Sequence, residues 1–199
     1  MKTFVISAVT YGRAHQINIL NTMTNTILDN FLDFKVIVMT SKKGTIKDKR
    51  VVEYEFPNFK KNWIYPIFLY YFGFRNISKK LNADIWLSLD SATPWVVAKN
   101  QYSYFQNPSP FWNGSTKIIK YDFKFYLYTK VYIFLIRFLL KKNKAVIVQT
   151  DWMRNSFIKK FNINSAIVAV ILPPDLENLP ITNKIEQRKT KIKNLIYPS

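Results

Sequence analysis

Four apolar segments with little internal polar alternation most constrain this chain: Thr3 to Val9, Phe34 to Met39, Ile85 to Leu89 and Ala145 to Val148. A strand that is apolar at nearly every position must be covered on both faces, and helices between successive strands supply that cover. The pattern predicts an α/β fold built on a Rossmann-like, doubly wound parallel sheet. Val51 to Phe56 and Gln101 to Phe105 read as further strands, and Ala166 to Leu172 as a last one before Pro173 and Pro174.

The segments between them have helical period. After a loop around Gly12, a helix buries a stripe of Ile17, Leu20, Ile27 and Phe31. Asn62 to Leu81 has helical length, with Pro66 tolerated in its first turn. After Asp90, Thr93 is placed to cap a helix whose first residue is Pro94. Tyr121 to Lys142 is a long helix with Tyr128, Tyr132, Leu135 and Leu139 on one face and Lys130, Arg137 and Lys141 on another. Thr150 or Asp151 caps a helix running through Phe161, with Met153, Phe157 and Phe161 inward.

With 199 residues, 48% of them hydrophobic, the chain is long enough for one well-cored domain that buries roughly 70% of its unfolded surface. Cysteine is absent, which excludes disulfides, thiolate nucleophiles and Cys-ligated zinc. The apolar stretch after Lys2 ends at Thr10 and reads as a first buried strand, not a signal peptide. Phe125 to Leu140 is interrupted by Lys130 and Arg137, each costing about 2.5–3.5 kcal/mol at a bilayer centre, so it is not expected to span.

Thirty Lys and Arg against 12 Asp and Glu give a net charge of +18. Such a surface attracts polyanions or anionic lipid headgroups, although lysines spread along most of the chain fit generic solvation equally well. No RNP or helix-turn-helix signature accompanies the charge, so nucleic acid is not an expected partner. The four glycines, Gly12, Gly44, Gly73 and Gly114, lie too far apart for a dinucleotide-binding turn or a Walker loop. Asp90-Ser91-Ala92 offers one carboxylate where an Asp-x-Asp metal clamp needs two. Neither a metal nor a cofactor is expected.

Three segments carry a resemblance: Ile85 to Asp90, Gln106 to Trp112 directly after the strand Gln101 to Phe105, and Val146 to Arg154. In order and spacing they resemble the amino-terminal half of family-4 glycosyltransferases. The resemblance implies the first half of a GT-B architecture, with residues 1–183 as the acceptor-side domain. Residues 184–199 are then a linker and the first strand of an absent second domain, Asn194 to Ser199 matching that strand's Tyr-Pro pattern. In that family the nucleotide-sugar donor sits mainly on the second domain and the glycan or lipid-linked acceptor in the cleft. This chain alone is therefore expected to lack turnover, to work in the cytoplasm or peripherally at the inner face of the membrane, and to need a separate carboxy-terminal partner. The alternative is a stand-alone basic module docking to an anionic membrane or to such a partner.

The candidate site residues lie where strands end. In the resembled family a histidine thought to contact the donor often stands at the place of Gln106; glutamine still hydrogen-bonds a hydroxyl but cannot titrate. Asn107 and Ser109 follow as substrate-orienting groups, or as parts of a proline-punctuated turn. Gly12 and Arg13 occupy the loop before the first helix, where amides and a cation face an anion; many members carry a glycine pair there and this chain keeps only Gly12. His15 is the only histidine, and its helix-start position suits a solvated residue as well as a general base. Asp90 ends the Ile85 strand, and Asp151, Trp152 and Arg154 resemble the family's Gln-x-x-Trp-x-Arg stretch, in which Asp151 is most simply a cap.

Overall fold

The computed structural model describes residues 1–57, 59, 64–108, 111 and 121–171, without the side chains at 64, 124, 125, 128 and 129. Seven strands, β1 (Lys2–Ser7), β2 (Phe34–Thr40), β3 (Val52–Glu55), β4 (Ile85–Ser88), β5 (Asn100–Phe105), β6 (Ala145–Val148) and β7 (Val168–Val170), form one sheet. Their order is β3-β2-β1-β4-β5-β6-β7, with every pairing parallel. The apolar runs thus form the parallel sheet that their continuity demands.

The helices are α1 (Ala14–Asn30), α2 (Ile64–Phe68), α3 (Phe74–Leu81), α4 (Phe123–Leu139) and α5 (Asp151–Phe161). Registered pairs point the same way, so Val5, Ile37 and Trp86 share one face while Phe4, Val36 and Ile85 share the other. α1 packs on the second face through Leu20, Ile27 and Leu28. Leu69, Phe74 and the α4–α5 residues Ile136, Met153 and Phe157 pack on the first. Among the described residues the cover is therefore lopsided: one helix on one side and the rest on the other.

Several elements differ from the sequence expectation. The α1 stripe is rotated: Ile19, Leu20, Thr24, Ile27 and Leu28 are buried. Ile17 is only half-buried and Phe31 is 40% exposed, its ring edge-on to Phe4 and Phe34 at the end of the sheet. The expected helix Asn62 to Leu81 is interrupted by a π turn, Leu69–Gly73, and its start at 62 lies outside the described residues. The Ala166 strand is shorter than expected because Ser165–Ile167 forms a 3-10 turn, its amide capped by Asn164, while residues from 172 onward, including the linker and final strand assigned to 184–199, lie outside the described residues. Thr150, not Asp151, caps α5, its hydroxyl accepting from the Met153 amide at 3.4 Å.

The helix expected from Thr93 and Pro94 does not form. Residues 93–98 instead form no helix and lie beside the π turn and α3, with the Trp95 amide on the Tyr70 carbonyl (2.8 Å) and the Val97 amide on Ser78 Oγ (2.8 Å). These bonds replace the intrahelical ladder, and the π turn presents the carbonyl that one of them needs. Thr93 is spent elsewhere: its Oγ1 accepts from Asn143 Nδ2 at 3.0 Å, while Asn143 Oδ1 accepts from Ser103 Oγ at 2.9 Å. All three residues are buried, so the network ties the β4–β5 connection, β5 and the turn before β6 together.

Asn143→Ala removes the shared partner from Thr93 and Ser103. A loss of about 1–3 kcal/mol is expected for each hydroxyl left unsatisfied. Urea denaturation measures it; a loss below about 0.5 kcal/mol, the level of an ordinary surface change, would show that the network does not hold this connection.

Candidate functional site at the switch point

In an open parallel sheet, ligands bind beyond the carboxyl ends of the strands where neighbouring loops diverge. Here β1 leads toward β2 on one side, and β4 leads toward β5 on the other. The loops after β1 and β4 part at this point, and Asp90 stands between them. Its Oδ1 accepts from the Thr10 amide (2.8 Å) and the Thr10 hydroxyl (2.9 Å). The carboxyl is buried, and burial pushes its pKa up to about 6; the bonds from Thr10 and the nearby Ser7 and Tyr70 hydroxyls pull the other way.

The next residue turns the chain sharply. Ser91 has φ of 54°, a left-handed conformation uncommon for a residue with a side chain. Three groups hold it there: its Oγ accepts from the Gln106 and Asn107 amides at 3.0 and 3.2 Å, and its carbonyl accepts from the Tyr132 hydroxyl of α4. Strained backbone that the surroundings over-determine marks a functional site more often than chance. Gln106 spends a side-chain N–H on the Tyr11 phenol, and the neighbouring Tyr104 phenol accepts from Gln149 Nε2 at 3.1 Å. Burial raises the pKa of both phenols, with Asp90 adding to the effect on Tyr11, so both stay protonated donors near neutrality.

Of the residues read from the sequence, Asp90, Gln106 and Asn107 are brought together through Ser91, Thr10 and Tyr11. Gly12 and Arg13 follow on the same rim but are exposed, and their amides point at Gln16 Oε1, both at 3.2 Å. His15 is exposed in the first turn of α1, and Asp151 is exposed at the start of α5. Arg154 is committed to backbone, its guanidinium donating to the Val168 and Ser165 carbonyls at 3.0 and 3.1 Å. Ser109 lies outside the described residues. Thr10, Tyr11, Ser91 and Tyr132 were missed, although Asp-Ser-Ala-Thr-Pro after a buried strand is a turn signal that a helix-cap reading had absorbed.

A cavity of about 770 Å³ opens beside Asp90 between α2 with its π turn and α4. Thr10, Asp90, Thr93, Asp122 and the phenols of Tyr70, Tyr71 and Tyr132 are its polar groups, and Ile67, Leu127, Val131 and Leu135 give it an apolar wall. A second cavity of about 680 Å³, at the amino edge, is wide open and lined by Lys2, Asp84 and Lys99. There Asp84 is already satisfied by the Thr3 amide (2.8 Å) and Lys99 (2.6 Å), so the carboxyl-edge cavity is the candidate. Among the described residues no cluster of His, Asp or Glu has the make-up of a metal site.

Asp90 makes stability depend on pH in a defined direction. Its carboxyl titrates near 3.8 unfolded and about 6 folded, so between these values the folded protein holds a proton that the unfolded chain has released. Stability from this group therefore falls as pH rises from about 4 to 6, by about 3 kcal/mol in total. Asp48 and Asp84, whose pKa values are lowered by hydrogen bonds with Arg50 and Lys99 respectively, act in the opposite sense. The difference between the wild type and Asp90→Asn isolates the effect: unfolding free energies measured from pH 4 to 7 should show the wild type losing about 2 kcal/mol relative to the variant. A flat difference curve would contradict the buried, raised carboxyl.

No protein-family model matches the sequence, and no curated protein matches it. A solved structure does: a glycosyltransferase from Rickettsia africae ESF-5 is similar, with a TM-score of 0.54 and 15% sequence identity, over 86% of this chain and 42% of that one. The chain thus spans less than half the length of this neighbour. The likeness is one of fold: a seven-stranded parallel α/β sheet of the kind a glycosyltransferase uses.

Proposed function

We propose that this chain is the amino-terminal, acceptor-binding domain of a two-domain GT-B glycosyltransferase, which transfers a sugar from a nucleotide-sugar donor to a glycan or lipid-linked acceptor. The observation that carries the reading is the cavity at the switch point, with Asp90 and the Ser91-centred cluster at its edge, on a fold similar to a glycosyltransferase's. Asp90, Asn107 and Ser109 are assigned to the acceptor, with Gln106 positioning Tyr11. Gly12, Arg13, His15 and Asp151, on the same rim, face the donor half.

The purified chain incubated with a panel of nucleotide sugars and acceptors should show no turnover, and mixing it with a carboxy-terminal donor half should restore activity. Turnover by the chain alone overturns its incompleteness, and failure of every donor half to restore activity counts against the transferase assignment.

A second reading, docking to an anionic membrane, is favoured by the outward stripe of α4. Phe123, Phe134 and Phe138 are 59, 68 and 68% exposed, and Lys130, Arg137 and Lys141 are exposed among them. An aromatic stripe with interleaved cations suits a headgroup boundary. No helix among the described residues is long and apolar enough to cross a membrane. The chain should cosediment with phosphatidylglycerol vesicles at low salt and be released as salt rises, and Phe134→Ser with Phe138→Ser should weaken binding about tenfold or more. Unchanged binding in the double variant would remove the α4 surface from consideration.

A further inference from the structure

Two features of the cavity narrow its ligand. One wall is apolar at helical spacing, with Leu127, Val131 and Leu135 from α4 facing Ile67 and Tyr71 across the gap. Its volume, about 770 Å³, falls within the roughly 300–1,000 Å³ that small-molecule sites occupy. A purely apolar cleft would accept any greasy segment, but this one carries a buried carboxyl at its edge. The Thr10 hydroxyl donates to Asp90 Oδ1, so what this pair offers a ligand is lone pairs, not protons. A ligand group that meets the pair must therefore donate a hydrogen bond.

We infer that this cavity binds a hydroxyl-bearing amphiphile, its apolar chain lying between α2 and α4 and its hydroxyl donating to the Thr10–Asp90 pair. The inference rests on the acceptor-domain reading and makes it specific: the acceptor is an alcohol on a hydrophobic chain. A water-soluble glycan would leave the apolar wall wet, and a charged phosphate head would enter a cavity whose lining includes two carboxylates, Asp90 and Asp122. Asp90 acts here by binding and orienting the hydroxyl, and Leu135 by shaping the wall.

The test uses the full chain with two probes of matched length, 1-decanol and decyl methyl ether, titrated below their solubility limits and followed by thermal shift and calorimetry. The alcohol should bind saturably and about tenfold or more tighter than the ether, because a hydrogen bond to an ionised group is worth at least that ratio. In Asp90→Asn the amide supplies donors, so the preference should collapse to within about threefold. Leu135→Trp, at a half-buried position, should lose both probes while circular dichroism stays unchanged. Equal affinity for the two probes, no saturable binding, or wild-type binding by a folded Leu135→Trp each overturns the inference. None of these outcomes bears on transfer to water-soluble glycans, which turnover with the donor half tests separately.

Discussion

Asp90 holds the fold and the candidate site together because it sits where two crossovers part. The loop after β1 and the loop after β4 leave the sheet in opposite directions, and beyond the Ser7–Ser88 pair and the Leu89 amide on the Ser7 carbonyl (2.8 Å) a further bond must join them. Asp90 supplies that bond through Thr10. An ionised carboxylate in such a place costs free energy, as its raised pKa records. A neutral residue would bridge the loops at lower cost, so retaining an acid here exchanges stability for a strong acceptor at the mouth of a cavity.

Strands β1, β2, β4 and β6 were legible in the sequence because burial on both faces leaves mostly apolar residues, a signal that needs no knowledge of partners. Met153, Phe157 and Phe161 were legible for a related reason, since an amphipathic helix shows its inner face by period alone. Thr93 and Pro94 misled because local capping propensity is a weak prior. The non-helical path won through bonds to Tyr70, Ser78 and Asn143, residues 15 to 50 positions away that no local window contains. The site was half legible: Asp90, Gln106 and Asn107 follow from their places at strand ends. Ser91 and Tyr11 become visible only when the loops after β1, β4 and β5 are set side by side, because their roles lie in tertiary hydrogen bonds.

The excess of positive charge has two separable consequences. Some cations are structural: Arg154 bonds to backbone carbonyls, and Arg75 and Lys142 flank Trp95 at 4.3 and 5.4 Å from its ring centre. The last two hold the β4–β5 connection, and none of the three tells of partners. On α4, Arg137 likewise donates to a backbone carbonyl, that of Lys160 at 3.1 Å, and Lys130 lies over the Tyr126 ring, yet both stand among exposed aromatics that the core does not use. Phe134 and Phe138 are each 68% exposed, and the proposed docking to lipid rests on that pairing of apolar and cationic groups.

Gln106 bears on the chemistry through what it cannot do. A histidine at that place would titrate near neutrality and exchange a proton with a ligand; the glutamine amide donates to Tyr11 at every pH. Tyr11 in turn is held protonated by burial and by Asp90. The rim is thus divided by hydrogen-bond polarity, with the Tyr11–Gln106 pair fixed in one arrangement and Thr10–Asp90 presenting acceptors. Of the groups in this cluster, Asp90 alone titrates close to neutrality. The pH response of the fold therefore rests on the same carboxyl that stands at the edge of the cavity.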